Sequence, residues 1–136
     1  ITAQLQAGFE PKLPTFFSVL GVTYYLPLAL FEDTVKKMGS FQNPENQLVF
    51  DFPDEGLPTG SARGAELTRI TAMLGEPMVP GYQEEDVMNM LQRCGFRCKQ
   101  HFTPEEIEKR YFSGRSDGLH AFENIHFVLA KKENTI

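Results

Sequence analysis

The stretch that most limits what this chain can fold into is residues 15–26, TFFSVLGVTYYL. Residues 15–20 are almost wholly apolar, aromatic or β-branched, and short enough for a strand buried on both faces. Gly21 breaks the run; Thr23, Tyr24, Tyr25 and Leu26 follow, and Pro27 opens a helical pattern. A buried strand, a glycine at its carboxyl end and a following helix make half of an α/β unit. In open α/β sheets ligands sit outside the carboxyl ends of the strands, where backbone groups and short loops gather. Residues 19–25 are therefore the first place to expect a site.

The remaining chain supplies more of the same alternation. Residues 3–8 predict a short helix closed by Gly8. Leu28, Leu30, Phe31, Val35 and Met38 have helical spacing after Pro27, and Gly39 suits the end. Residues 47–52, QLVFDF, read as a second strand that Pro53 terminates. Residues 54–64, rich in Gly, Pro, Ser and Asp, predict a long mobile loop of the kind that often serves as a lid. Leu67, Ile70 and Leu74 mark a helix over 65–74, and Val87, Met90 and Leu91 mark another over 84–94. Residues 96–102 alternate as an edge strand does. Thr103-Pro104-Glu105-Glu106 is a capping box for a short helix reaching about residue 112. Residues 122–130, FENIHFVLA, close the chain as a strand able to lie antiparallel to 96–102. Strands alternating with helices predict a layered α/β sheet, one domain over 1–136.

Charge and composition exclude several function classes. A net charge of −5, with no cluster of Lys and Arg, argues against a nucleic-acid surface. No apolar run approaches the roughly 18 residues that would cross a bilayer. The opening ITAQLQAGFEPK lacks the basic-then-apolar pattern of a secretory leader. A strand arriving so soon after a start without Met reads as a piece of a longer protein. Cys94 and Cys98 straddle Gly95 and read as free thiols of a cytoplasmic protein.

Candidate chemistry is sparse. Cys94, Cys98, His101, His120 and His126 could suggest zinc, but structural zinc sites show paired short spacings. Cys98-x-x-His101 is half of such a pair with no second half, so no metal is expected. Ser18 lacks the nucleophile-elbow glycines. The acids at 84–86 and 105–106 sit at helix starts, where the macrodipole favours them. Gly56, Gly60 and Gly64 lack the lysine and spacing of a phosphate loop. No catalytic side chain is assigned.

FFSVLGVTYYL, then a helix, then QLVFDFP, then LGEPMVPGYQEEDVMNMLQRCGF together resemble the leucine carboxyl methyltransferase-like family. These are class I S-adenosylmethionine-dependent O-methyltransferases, with bacterial members associated with secondary metabolism. The resemblance covers about residues 8–98 and weakens beyond. It implies a seven-stranded Rossmann-like sheet of which this chain is the second half. Residues 15–20 and 47–52 would be its fourth and fifth strands. Residues 96–102 and 122–130 would be the sixth and seventh, the seventh antiparallel between the fifth and sixth. The half bearing the glycine-rich cofactor loop would be absent.

The same resemblance implies that Leu20, Gly21 and Val22 line the methionine end of S-adenosylmethionine. Phosphatase methyltransferases carry a glutamate where Leu20 stands, which leaves backbone carbonyls as acceptors for the cofactor amine. Thr23, Tyr24 and Tyr25 match the stretch facing the transferred methyl and a small-molecule acceptor, and Arg63 matches a region that covers the substrate. The alternative for the tyrosines is core packing with satisfied hydroxyls. A reading from another class also stands: a non-catalytic α/β module that binds a protein through its sheet edge. Either way an uncovered edge strand predicts dimerisation.

Overall fold

The computed structural model describes residues 2–134. Four strands form one sheet: β1 (Phe16–Val19), β2 (Gln47–Pro53), β3 (Phe96–Phe102) and β4 (Ile125–Lys132), in the order β1-β2-β4-β3. β1 runs parallel to β2, whereas β4 is antiparallel to both of its neighbours. The last strand is thus inserted between the second and third, the arrangement expected from the resemblance. Asn46 ties the start of the parallel pair together, its side-chain oxygen accepting from the Thr15 amide at 2.9 Å.

Helices α1 (Thr2–Gln6), α2 (Leu28–Gly39), α3 (Leu57–Gly60), α4 (Ala62–Met73), α5 (Glu84–Arg93) and α6 (Pro104–Ile107) complete the fold, α6 running into a π-helical turn over Glu108–Phe112. α2 and α5 cover one face of the sheet. Phe31 and Val35 from α2, and Val87, Met90 and Leu91 from α5, pack on Leu48, Phe50, Phe52, Phe96 and Val128. Alternation along β2 sends Leu48, Phe50 and Phe52 to this face, and each is fully buried. Glu32 of α2 accepts two hydrogen bonds from Arg93 of α5 at 3.0 and 2.8 Å. Those bonds hold its carboxyl down at about 2.

Several local expectations are corrected. Residues 54–64 are not a mobile loop: Leu57 is buried, α3 forms at once, and Ser61 caps α4 by accepting from the Gly64 amide at 3.0 Å. α4 buries Gly64 and Thr71 and leaves Ile70 and Leu74 exposed, so its inward face is the small one. The reason is close approach: a Cβ on Gly64 would lie 2.0 Å from the Leu57 carbonyl oxygen. Leu30 is likewise exposed on α2. The last strand begins at Ile125 rather than 122, because Asn124 turns the chain with φ 67. α5 ends at Arg93, leaving Cys94 as its C-terminal cap and Cys98 on β3, both free thiols. The capping box at Thr103 is present in both directions.

β1 forms one edge of the sheet, with Phe16 and Leu20 at 61% and 52% exposure. No helix among the described residues is long and apolar enough to cross a membrane.

Candidate functional site at the strand ends

The loops after β1, β2 and β3 and the entry to β4 all meet at one end of the sheet. Asp51, buried in β2, organises the first of them. Its Oδ1 accepts from the Gly21 amide at 2.8 Å, its Oδ2 accepts from the Tyr24 hydroxyl at 2.8 Å, and its carbonyl oxygen accepts from the Thr23 hydroxyl at 2.8 Å. Gly21 makes the required turn with φ 71. One residue, through its carboxylate and its backbone carbonyl, therefore shapes the whole segment from 21 to 24. Burial, and next the Asp51 charge, push the Tyr24 hydroxyl far above its usual range. It stays a hydrogen-bond donor.

Thr23 and Tyr24 thus face inward with their hydroxyls engaged, while Leu20, Val22 and Tyr25 stand on the surface at 52%, 42% and 42% exposure. Tyr82 buttresses the same loop, its hydroxyl donating to the Leu26 carbonyl at 2.5 Å; burial raises it to about 12. The Val79 amide donates to the Tyr24 carbonyl at 2.9 Å. Segment 79–82 is in this way laid beside the ends of β1 and β2.

Arg63 lies elsewhere. From α4 it reaches Glu123 at 3.1 Å, donates to the Ala121 carbonyl, and stacks its guanidinium 4.6 Å above the Phe122 ring. It clamps α4 to the chain entering β4.

A second constellation, missed in the sequence reading, sits at the carboxyl ends of β2 and β3 and the start of β4. Glu84 Oε1 lies 3.1 Å from His101 Nδ1, His101 Nε2 lies 2.9 Å from His126 Nδ1, and His126 Nε2 lies 2.8 Å from Asp54 Oδ2. Asp54 is itself held by the Gly56 amide at 2.8 Å and the Asn124 side-chain amide at 2.9 Å. His126 is buried, and its ring stacks on Phe52 at 4.9 Å. Ligand atoms of Glu84, His101 and His126 all fall within 4.8 Å of one another. Of the five sulfur and imidazole residues singled out by type, the fold joins only His101 and His126. Cys98 has no part in the cluster, and His120 pairs separately with Glu108 at 2.8 Å. No spacing rule could find it, because Glu84, His101, His126 and Asp54 come from four separate elements.

A cavity of about 790 Å³ opens beside this cluster, lined by Asp54, Thr103, Glu108, His120, Asn124 and His126. An apolar groove of about 560 Å³ adjoins it, lined by Ile107, Tyr111, Phe112, Phe122 and Phe127. A polar end and an apolar body suit a small organic molecule.

No family model matches the chain. It is 34% identical over 132 residues to YktD of Bacillus subtilis (strain 168), named a "putative S-adenosyl-L-methionine-dependent methyltransferase". The match takes in 95% of the chain and 43% of YktD, so the chain spans less than half the length of this relative. Among solved structures, a DUF574 family protein from Streptomyces avermitilis matches 96% of the chain and 51% of its own length, with a TM-score of 0.66 at 12% identity. The mitomycin 7-O-methyltransferase MmcR matches 96% of the chain and 37% of its own length, with a TM-score of 0.54 at 10% identity. At such identities the likeness is one of fold. The four-stranded mixed sheet matches the fold of these structures, consistent with a partial Rossmann-like domain.

Proposed function

We propose that this chain is the C-terminal half of an S-adenosylmethionine-dependent O-methyltransferase of the leucine carboxyl methyltransferase-like kind, acting on a carboxylate or hydroxyl of a small molecule. The identity to a methyltransferase relative over 95% of the chain is the observation that carries this reading. The glycine-rich cofactor loop would lie in the part of the protein that YktD has beyond the matched region. Leu20, Gly21 and Val22 would border the methionine end of the cofactor. Tyr25, exposed at the end of the same segment, would face the acceptor. Thr23 and Tyr24 would act as positioning residues, holding that segment through Asp51. Arg63 would hold the acceptor-side wall through Ala121 and Glu123 rather than touch the acceptor.

In methyl transfer the acceptor oxygen attacks the sulfonium methyl in line; the new C–O bond forms as the C–S bond breaks, and S-adenosylhomocysteine leaves. A carboxylate acceptor needs no base, so positioning and exclusion of water supply the catalysis. Calorimetric titration of S-adenosylhomocysteine tests the reading. Micromolar binding to the full-length protein, lost in residues 1–136 alone, is expected. Binding by neither would overturn it in favour of a protein-interaction module.

A further inference from the structure

We propose that Glu84, His101 and His126 form a binding site for a divalent metal ion of the zinc class, with Asp54 orienting His126 from outside the coordination sphere. Two imidazoles and one carboxylate are the donor set of three-ligand zinc sites that keep a position open. Here those donors already converge to within 4.8 Å, from the first turn of α5 and from two adjacent strands.

The hydrogen-bond count points the same way. Three contacts link the four side chains, at 3.1, 2.9 and 2.8 Å. Two neutral imidazoles bring two N–H protons to them. His126 Nε2–H serves Asp54, which leaves the lone pair on Nδ1 aimed at His101. His101 has one proton and two neighbours that both accept. With both rings neutral one contact is left with no proton, a deficit that either a second proton on His101 or a cation resolves. A cation that takes the imidazole lone pairs removes this deficit, and a divalent one balances the two carboxylates.

The Asp54–His126 contact has the form that metal-bound histidines show, a carboxylate on the nitrogen turned away from the ion. Asp54 accepts from the Gly56 amide and the Asn124 side chain and contacts His126 Nε2, which fixes the His126 ring for such a role. Of the three proposed ligands only His126 lines the neighbouring cavity, together with Asp54. This inference stands on the cluster alone and does not depend on the methyltransferase reading.

The experiment is titration of zinc or cobalt(II) into chelator-treated full-length protein, followed by calorimetry and by the visible d–d absorption of cobalt. One equivalent should bind, with the spectrum of nitrogen and oxygen ligation. His101→Gln and His126→Gln should each abolish the spectrum, and Asp54→Asn should weaken binding about 10- to 100-fold. His120→Gln, which alters an exposed histidine outside the cluster, should bind as the parent does. Circular dichroism separates lost binding from lost folding. Absence of stoichiometric binding by the folded parent would overturn the proposal. So would binding that survives both cluster substitutions, or an imidazole nitrogen NMR spectrum showing one extra N–H shared between the rings in place of metal ligation.

Discussion

Asp51 carries more of the strand-end geometry than any other single side chain. Two groups of the loop after β1 donate to its carboxylate and a third, the Thr23 hydroxyl, donates to its backbone carbonyl, all at 2.8 Å. Removing one donor leaves a buried carboxylate oxygen without a partner, and such an oxygen costs about 1–3 kcal/mol. Tyr24→Phe should therefore lower the urea-unfolding free energy by that amount, with the slope of the transition unchanged. A variant as stable as the parent would mean that the Tyr24 hydroxyl contributes nothing to the anchor. The identities of Gly21, Thr23 and Tyr24 are readable from the sequence. Their partner is not, because Asp51 lies about 30 residues away in a run that reads as an ordinary strand.

Among the elements, α2 and α5 meet where their ends leave no room for a side chain. A Cβ on Gly39 would fall 2.0 Å from the Cys94 carbonyl oxygen and 3.5 Å from the Phe96 ring. Gly39→Ala gains up to about 1 kcal/mol in helix propensity. Pushing α2 off the end of α5 should cost about 1–3 kcal/mol. The backbone carbonyl cannot swing aside as a long side chain could, so the net effect is expected to be destabilising. A thermal melt checks it, and an equal or higher midpoint would show that the helix end yields. The spacing of Leu28, Phe31, Val35 and Met38 announces α2 and its buried face. It cannot announce that Gly39 is needed for contact rather than for a turn. α4 shows the converse: its apolar residues suggest a face that the fold leaves exposed, because small residues let it approach α3.

For the whole molecule, β1 is one of the two edges of the sheet. Strand order places it at the end of the sheet, and Phe16 and Leu20 are more than half exposed there. An open strand edge with apolar side chains pairs readily with another chain. Residues 1–136 expressed alone should therefore elute as a concentration-dependent dimer or larger species in size-exclusion chromatography. A sharp monomer at low and high concentration would show that the edge is protected.

The sequence alone determined the element types and their order, because hydrophobic period, glycine and proline breaks, and capping boxes are local signals. From it came strands over 15–20, 47–52 and 96–102, helices from Pro27 to about Gly39 and over 84–94, and, through a family resemblance, the inserted antiparallel strand. Only the tertiary structure decided which side chains face one another across those elements. It turned residues 54–64 from a loop into two helices packed at a glycine, and it directed Tyr24 inward to Asp51. It also assembled Glu84, His101, His126 and Asp54 from places far apart in the chain. Periodicity reports which face of an element is apolar; a site made by several elements depends on distances that only the packed sheet sets.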